Sequence, residues 1–279
     1  MNVQDYFKPL LTWTPEKARE FLNNKKQVEY NLVDVRQPKE YESGHIPGAQ
    51  LIPLDQLPDR IGELDPDKVT IAYCAKGIRS RAAAALLSNS DFKEVHSIEG
   101  GLNAWQGRVA EGIPEAGMAF FSPASNPEQL IALAWLLEDG SRKFYNELSS
   151  MLNDKDAAVL FRELTLAEEH HKSSLLSLYK QLSGKDADTG FPWSVLDAKP
   201  VGDVMEGGTK VNEALQWVQG KSVQDILELS ISLETNSYDL YLKMERTMKE
   251  ENSKKLFRLL SDEEKLHLER LTNLFESKL

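Results

Sequence analysis

One cysteine, Cys74, stands in 279 residues. No disulfide can therefore close within the chain, and no cysteine-built metal knuckle can form. A lone thiol suits a reducing compartment, where it is either packed or reactive. Basic residues are outnumbered, 33 Lys and Arg against 44 Asp and Glu, and the net charge of -11 excludes a general binder of nucleic acid or anionic membrane. No stretch approaches the roughly 20 apolar residues of a membrane helix. The start, MNVQDYFKPLLTW, is too polar for a secretory signal, so the expectation is a cytoplasmic chain. What is present, 41% hydrophobic and 28% charged residues, is globular composition, and the length accommodates one large domain or two ordinary ones.

The two halves follow different patterns. In the first, β-branched runs such as VEYNLVDVR (28–36), VTIAYC (69–74) and KEVHSIEGG (93–101) alternate with helical stretches such as SRAAAALLSNS (80–90). That alternation predicts an α/β domain with a parallel sheet flanked by helices, over 1–110. From Asn126 the apolar period changes to three and four. Helical runs are predicted over 128–152, 155–182, 222–249 and 252–277, with Asn126-Pro127 marking a start and Ser183-Gly184 a stop. Residues 184–221 form a long connection, so 127–279 reads as an all-α four-helix bundle with one crossover. The Gly-, Pro- and Ala-rich segment 111–126 reads as the linker, with Phe120 and Phe121 expected to dock on one of the domains.

In CAKGIRSR (74–81) a strand delivers Cys74 into a short loop, and an Ala-rich helix is expected from about Ser80. Backbone amides of Ala75, Lys76, Gly77, Ile78 and Ser80 can turn toward the sulfur, and the helix start is electropositive. Lys76 and Arg79 add cationic charge. Such surroundings lower a thiol's pKa and stabilise an anion beside it, as a thiolate attacking an anionic sulfur donor requires. No His or Asp base stands nearby, so activation is expected from the local field. A buried, inert cysteine is the plain alternative; the basic, glycine-containing loop argues against it.

Residues 11–108 resemble the rhodanese family. LVDVRQPKEYESGHIPGAQLIPL (32–54) is similar to its Asp-x-Arg…Glu-Tyr…Gly-His-Ile-Pro-Gly-Ala signature, CAKGIRS to its active loop and EGGLNAW (99–105) to its closing motif. The resemblance implies sulfane-sulfur transfer through a Cys74 persulfide. It makes Cys74, Arg79, Lys76 and Gly77 the catalytic group, with Ala75, Ile78 and Ser80 completing the substrate loop. The six-residue loop, Cys74 to Arg79, matches sulfurtransferase members rather than related phosphatases. Asp34, Arg36 and His45 are implied to brace the fold, and Trp105 to pack in the core. No cofactor is implied for this domain. With no second cysteine, sulfur must pass from a small anionic donor to an external acceptor such as cyanide, a small thiol or a partner protein.

The second half contains a repeat. VLFRELTLAEEHH (159–171) parallels KLFRLLSDEEKLH (255–267), each ending in Glu-x-x-His: Glu168…His171 and Glu264…His267. Glu138 and Tyr145 parallel Glu234 and Tyr241, and every pair is 96 residues apart. Glu and His at i and i+3 share a helix face and can grip one ion. Two such pairs with one Glu from each of two other helices suit a pair of iron or manganese ions. One Glu-x-x-His is by itself an ordinary solvated face; two in register with further glutamates and tyrosines are not. His170 is expected at the surface or behind the ligands, as are Glu169, Asp262 and Glu263. Arg162 and Arg258 are expected to pair with carboxylates.

Residues 126–279 resemble the rubrerythrin and ferritin-like di-iron family, whose ligand pattern falls on Glu138, Glu168, His171, Glu234, Glu264 and His267. The chain departs from rubrerythrins proper in lacking cysteines for a rubredoxin module, and in having Ser237 where a further glutamate is usual. The resemblances together imply a sulfurtransferase joined to a di-iron domain that handles or senses oxygen or peroxide, in a homodimer. The alternatives are a partner-binding rhodanese-like module, and a bundle serving as a structural or oligomerising, metal-binding element.

Overall fold

The computed structural model describes residues 12–110, 126–196, 203–205 and 209–279. The linker expected at 111–126 lies outside these residues but for Asn126, and Phe120 and Phe121 lie outside them altogether. The chain divides into two compact units, Met1–Pro114 and Glu115–Leu279.

The first unit is a five-stranded, all-parallel sheet. Its strands are β1 (Thr12–Trp13), β2 (Tyr30–Asp34), β3 (Gln50–Leu51), β4 (Val69–Tyr73) and β5 (Glu94–Ile98), in the spatial order β1-β5-β4-β2-β3. The central strands β2 and β4 are nearly continuous apolar runs because helices cover both faces of the sheet. The helices are α1 (Pro15–Asn24), α2 (Pro38–Glu42), α3 (Leu57–Arg60) and α4 (Ile78–Ser88). Two apolar clusters line the sheet, one around Val33, Ala72, Ala83 and Leu87, the other around Leu32, Ile71, Tyr41 and Tyr73. The edge strands β1 and β3 were not expected, since two residues carry no readable alternation.

Helix α4 begins at Ile78, not near Ser80. Gly77 has φ +85°, a left-handed conformation that ends the loop abruptly and lets the helix start at the next residue. Arg79 and Ser80 therefore ride on the first helical turn.

The second unit is a helical bundle of α5 (Pro127–Met151), α6 (Lys155–Ser183), α8 (Val223–Thr247) and α9 (Glu251–Ser277). Side-chain caps set each start: Asn126 accepts from the Gln129 amide, Asp154 from Ala157, Ser222 from Asp225 and Glu250 from Ser253. α5 packs along α6 and α8 along α9, and the two hairpins meet where α6 touches α9. The connection, read from sequence only as a long link between helices, contains the short helix α7 (Val211–Trp217), which packs against α5. Val211 and Ala214 are its only buried positions, too few to reveal a helical period. Among the described residues no helix is long and apolar enough to cross a membrane.

Candidate sulfur-transfer loop and metal centre

Cys74 follows β4 directly and is buried. Its Sγ accepts a hydrogen bond from the Gly77 amide at 3.1 Å. Burial disfavours the thiolate. The Ser80 amide and hydroxyl, with the Lys76 and Gly77 amides, outweigh it and leave the thiol below its ordinary value. The buried Ser80 Oγ has no other hydrogen-bond partner among the described residues. The sulfur thus sits in a ring of donors at a helix start, an arrangement that favours an anion.

The closing motif supports this loop from behind. Leu102 N donates to Cys74 O at 2.7 Å, and Asn103 N to Ala75 O at 3.0 Å. Any Cβ on Gly101 would stand 2.1 Å from Cys74 O, so only glycine permits the approach.

The charged side chains divide. Lys76 and Ile78 point to solvent. Arg79 forks onto Glu40 of α2, at 2.7 and 2.6 Å, and also feels the Cys74 sulfur. Arg79 holds the Glu40 carboxyl down at about 2. Sequence reading had Glu40 inside the Glu-Tyr motif without a role; no local pattern joins it to a residue 39 positions away. Asp34, Arg36 and His45 serve the frame. Arg36 Nη2 meets Asp34 Oδ2 and Gly44 O, both at 2.6 Å. His45 Nδ1 contacts Tyr41 O at 2.9 Å, and its ring stacks on that tyrosine. Trp105 is half-buried, with Nε1 donating to Arg108 O.

In the bundle, α5, α6, α8 and α9 bring Glu138, Glu168, His171, Glu234, Glu264 and His267 together, all buried. They form two overlapping groups, Glu138–Glu168–His171–Glu264 and Glu168–Glu234–Glu264–His267, with donor atoms within 4.8 Å of one another in each. Glu168 and Glu264 belong to both groups, which is the placement of bridging ligands. His171 Nδ1 lies 3.1 Å from Glu168, 3.2 Å from Glu138 and 3.3 Å from Glu264. His267 Nδ1 lies 3.3 Å from Glu234 and 3.4 Å from Glu264.

The donor set fits a pair of divalent cations. Four carboxylates with two neutral imidazoles carry four negative charges, and such a cluster is costly to bury without counter-ions. Glu138 Oε1, Glu168 Oε2 and Glu264 Oε2 are buried without a hydrogen-bond partner among the described residues, as atoms awaiting a ligand would be. With protons alone to balance it, the cluster titrates abnormally. Burial, then the Glu168 charge, pushes Glu138 well above the usual carboxylate range; burial and Glu234 do the same to Glu264. Burial acts on Glu234 too, but hydrogen bonds with Glu264, His267 and Tyr145 hold it below the usual range. Burial opposes charging of His171 and His267, yet the surrounding carboxylates raise both.

Tyr145 donates to Glu234 Oε1 at 2.5 Å, whereas the buried hydroxyl of Tyr241, its repeat mate, has no partner among the described residues. Glu263, expected near the surface or behind the ligands, brings Oε2 to 2.8 Å from His171 Nε2. It reaches across from α9 to α6, so no spacing along one helix could disclose the contact. His170 lines an adjoining cavity of about 390 Å³ with Ala167, His171, Glu263 and His267. Arg258 pairs with buried Glu245 at 2.6 Å.

Comparison with known families places a Rhodanese-like domain at residues 14–108 and a Rubrerythrin domain at 225–278. The uncharacterized protein YqhL of Bacillus subtilis is 42% identical over 78 residues, 28% of this chain and 62% of that protein. Thiosulfate sulfurtransferase GlpE of Stutzerimonas stutzeri is 40% identical over 75 residues, 27% of this chain and 69% of that protein. A rhodanese-related protein of Thermoplasma volcanium, of known structure, is 28% identical and covers 36% of this chain and 97% of its own, with a TM-score of 0.33. The rubrerythrin match spans α8 and α9. The ligands on α5 and α6 lie outside it and are tied to it by the internal repeat.

Proposed function

Because the chain belongs to the rhodanese-like family and carries a rubrerythrin domain behind that module, we propose that it is a sulfurtransferase joined to a di-iron carboxylate protein. Cys74 is the nucleophile. Its thiolate attacks the outer sulfur of a thiosulfate-like donor; the donor's S–S bond breaks and sulfite leaves with the electron pair. The product is a Cys74 persulfide. An external thiol or cyanide then attacks the outer sulfur, and the Cys74 thiolate departs with its electrons. The amides of Lys76 and Gly77, with the Ser80 amide and hydroxyl, stabilise negative charge on the sulfur. Arg79, held by Glu40 through both terminal nitrogens and close enough to feel the Cys74 sulfur, is placed to meet the anionic donor.

In the bundle, Glu138 and His171 would hold one ion, Glu234 and His267 the other, and Glu168 and Glu264, which belong to both groups, would be shared between them. When bound, two iron ions supply redox chemistry toward oxygen or peroxide. The chain's own part is to hold the ligands on four helices, to keep water from their buried carboxylates, and to orient Glu234 through Tyr145.

The observation that carries the sulfurtransferase reading is the ring of donors around the Cys74 sulfur, directed there by the backbone of an abruptly started helix. Thiosulfate-to-cyanide transfer by the purified chain tests it. Activity is expected from the wild type and none from Cys74→Ser; full activity in that variant would overturn the assignment.

A further inference from the structure

The two halves of the bundle repeat with an offset of 96 residues, and all six proposed ligands obey it. The surroundings of the two histidines do not. Behind His171 stands Glu263, its Oε2 at 2.8 Å from Nε2, an ion-pair contact that is not aligned as a hydrogen bond. The position that repeats Glu263 on the other hairpin is Ala167, which offers no acceptor. Both residues border the same cavity of about 390 Å³, which reaches His171 and His267. His171 therefore has a carboxylate at its Nε2, whereas the position that repeats Glu263 for His267 is an alanine.

We propose that this break in the repeat, at the residues beside the two histidines, makes the two metal positions unequal, with the His171 position binding tightly and the His267 position exchanging readily. The inference rests on the di-metal reading of the cluster. A histidine ligating through Nδ1 carries its proton on Nε2, and a carboxylate accepting that proton fixes the ring, selects the tautomer and makes the ligating nitrogen a stronger donor. Loss of such a partner weakens metal binding by about 10–100-fold. Glu263 is thus a positioning residue for the His171 ion, and the ion at His267, whose ring has no carboxylate at the equivalent position, is the one that enters last and leaves first.

The test is anaerobic titration of the metal-stripped full chain with Co(II), followed by visible absorption and calorimetry. The wild type should bind two ions in two steps whose affinities differ by about tenfold or more. Glu263→Ala should still bind two, but with the tight step weakened until the steps merge. Glu263→Gln, which keeps an acceptor without the charge, should retain part of the separation. Ala167→Glu, which builds the missing carboxylate, should strengthen the second step alone, and it answers the question even if Glu263→Ala proves unfoldable by circular dichroism. Two indistinguishable wild-type steps, or equal weakening of both steps in Glu263→Ala, would overturn the inequality while leaving the di-metal reading intact. A wild-type chain that takes up no Co(II) would overturn both.

Discussion

The two sites solve the same problem, holding negative charge in a protein interior, by opposite means. Around Cys74 the charge is one sulfur, and the stabilising groups are mostly backbone amides of a six-residue loop. In the bundle the charge is four carboxylates, and no backbone amide can serve them because each lies in mid-helix, where every amide is already bonded. A loop supplies spare donors, while regular helices supply none and must draw the counter-charge from protons or cations. The first site can hold its charge with donors from its own loop, and the second needs protons or cations from outside its helices.

Removing the nucleophile should separate the sites most sharply. Cys74→Ser should lower sulfur transfer by on the order of 10³-fold or more while leaving metal content unchanged. In the reverse experiment, Glu168→Ala with Glu264→Ala removes both bridging ligands. The double variant should lose both ions by elemental analysis and keep sulfur transfer. A sulfurtransferase rate that follows metal content would break the separation.

Acid–base behaviour sharpens the contrast further. In the metal-free chain Glu138, Glu264 and His171 all titrate above their ordinary values. A raised folded-state pKa contributes stability that is present at low pH and lost as pH rises toward the folded value. Thermal unfolding of the metal-free bundle should therefore move to lower temperature between about pH 5 and pH 8, at about 1.4 kcal/mol per pH unit for each titrating group. Glu234 has the opposite sign, but its lowered value keeps it ionised throughout that range. Metal loading should abolish the slope, because ions replace the protons. A metal-free melting temperature that rises over this range would contradict the cluster electrostatics.

A smaller effect should come from the loop's support. Gly101→Ala forces a Cβ against Cys74 O and should destabilise the N-terminal domain by about 1–3 kcal/mol, with reduced transfer, leaving metal binding unchanged. Smallest of all is Glu40→Gln. It frees Arg79 at a half-exposed pair that contributes at most about 1 kcal/mol to stability. The Cys74 thiol should titrate lower, read from the pH dependence of alkylation, because the guanidinium charge is no longer shared.

The same difference explains what could be read in the sequence. The clustering of the bundle's candidate ligands was legible because Glu138, Glu168 and His171 recur 96 residues later, and helical spacing converts that recurrence into a shared interior. The loop was legible through motif order, since CAKGIRS lies between the LVDVR and EGGLNAW segments. Contacts that cross between elements were not legible. Arg79 to Glu40 joins α4 to α2, Glu263 to His171 joins α9 to α6, and neither follows a spacing within one helix. The early start of α4 was missed because Gly77 signals a turn without stating where the next helix begins. The short strands β1 and β3 were missed because they are defined by their neighbours in the sheet and not by their own composition.

On this reading one chain carries both a sulfur carrier that works without metal and a separate metal centre. Mass spectrometry of the Cys74 peptide after thiosulfate treatment tests it most directly, with the full chain taken once metal-loaded and once metal-stripped. The account predicts the mass of one added sulfur on Cys74 in both samples, lost again on exposure to cyanide. An unmodified Cys74, or a sulfur that appears only in the metal-loaded chain, would contradict it.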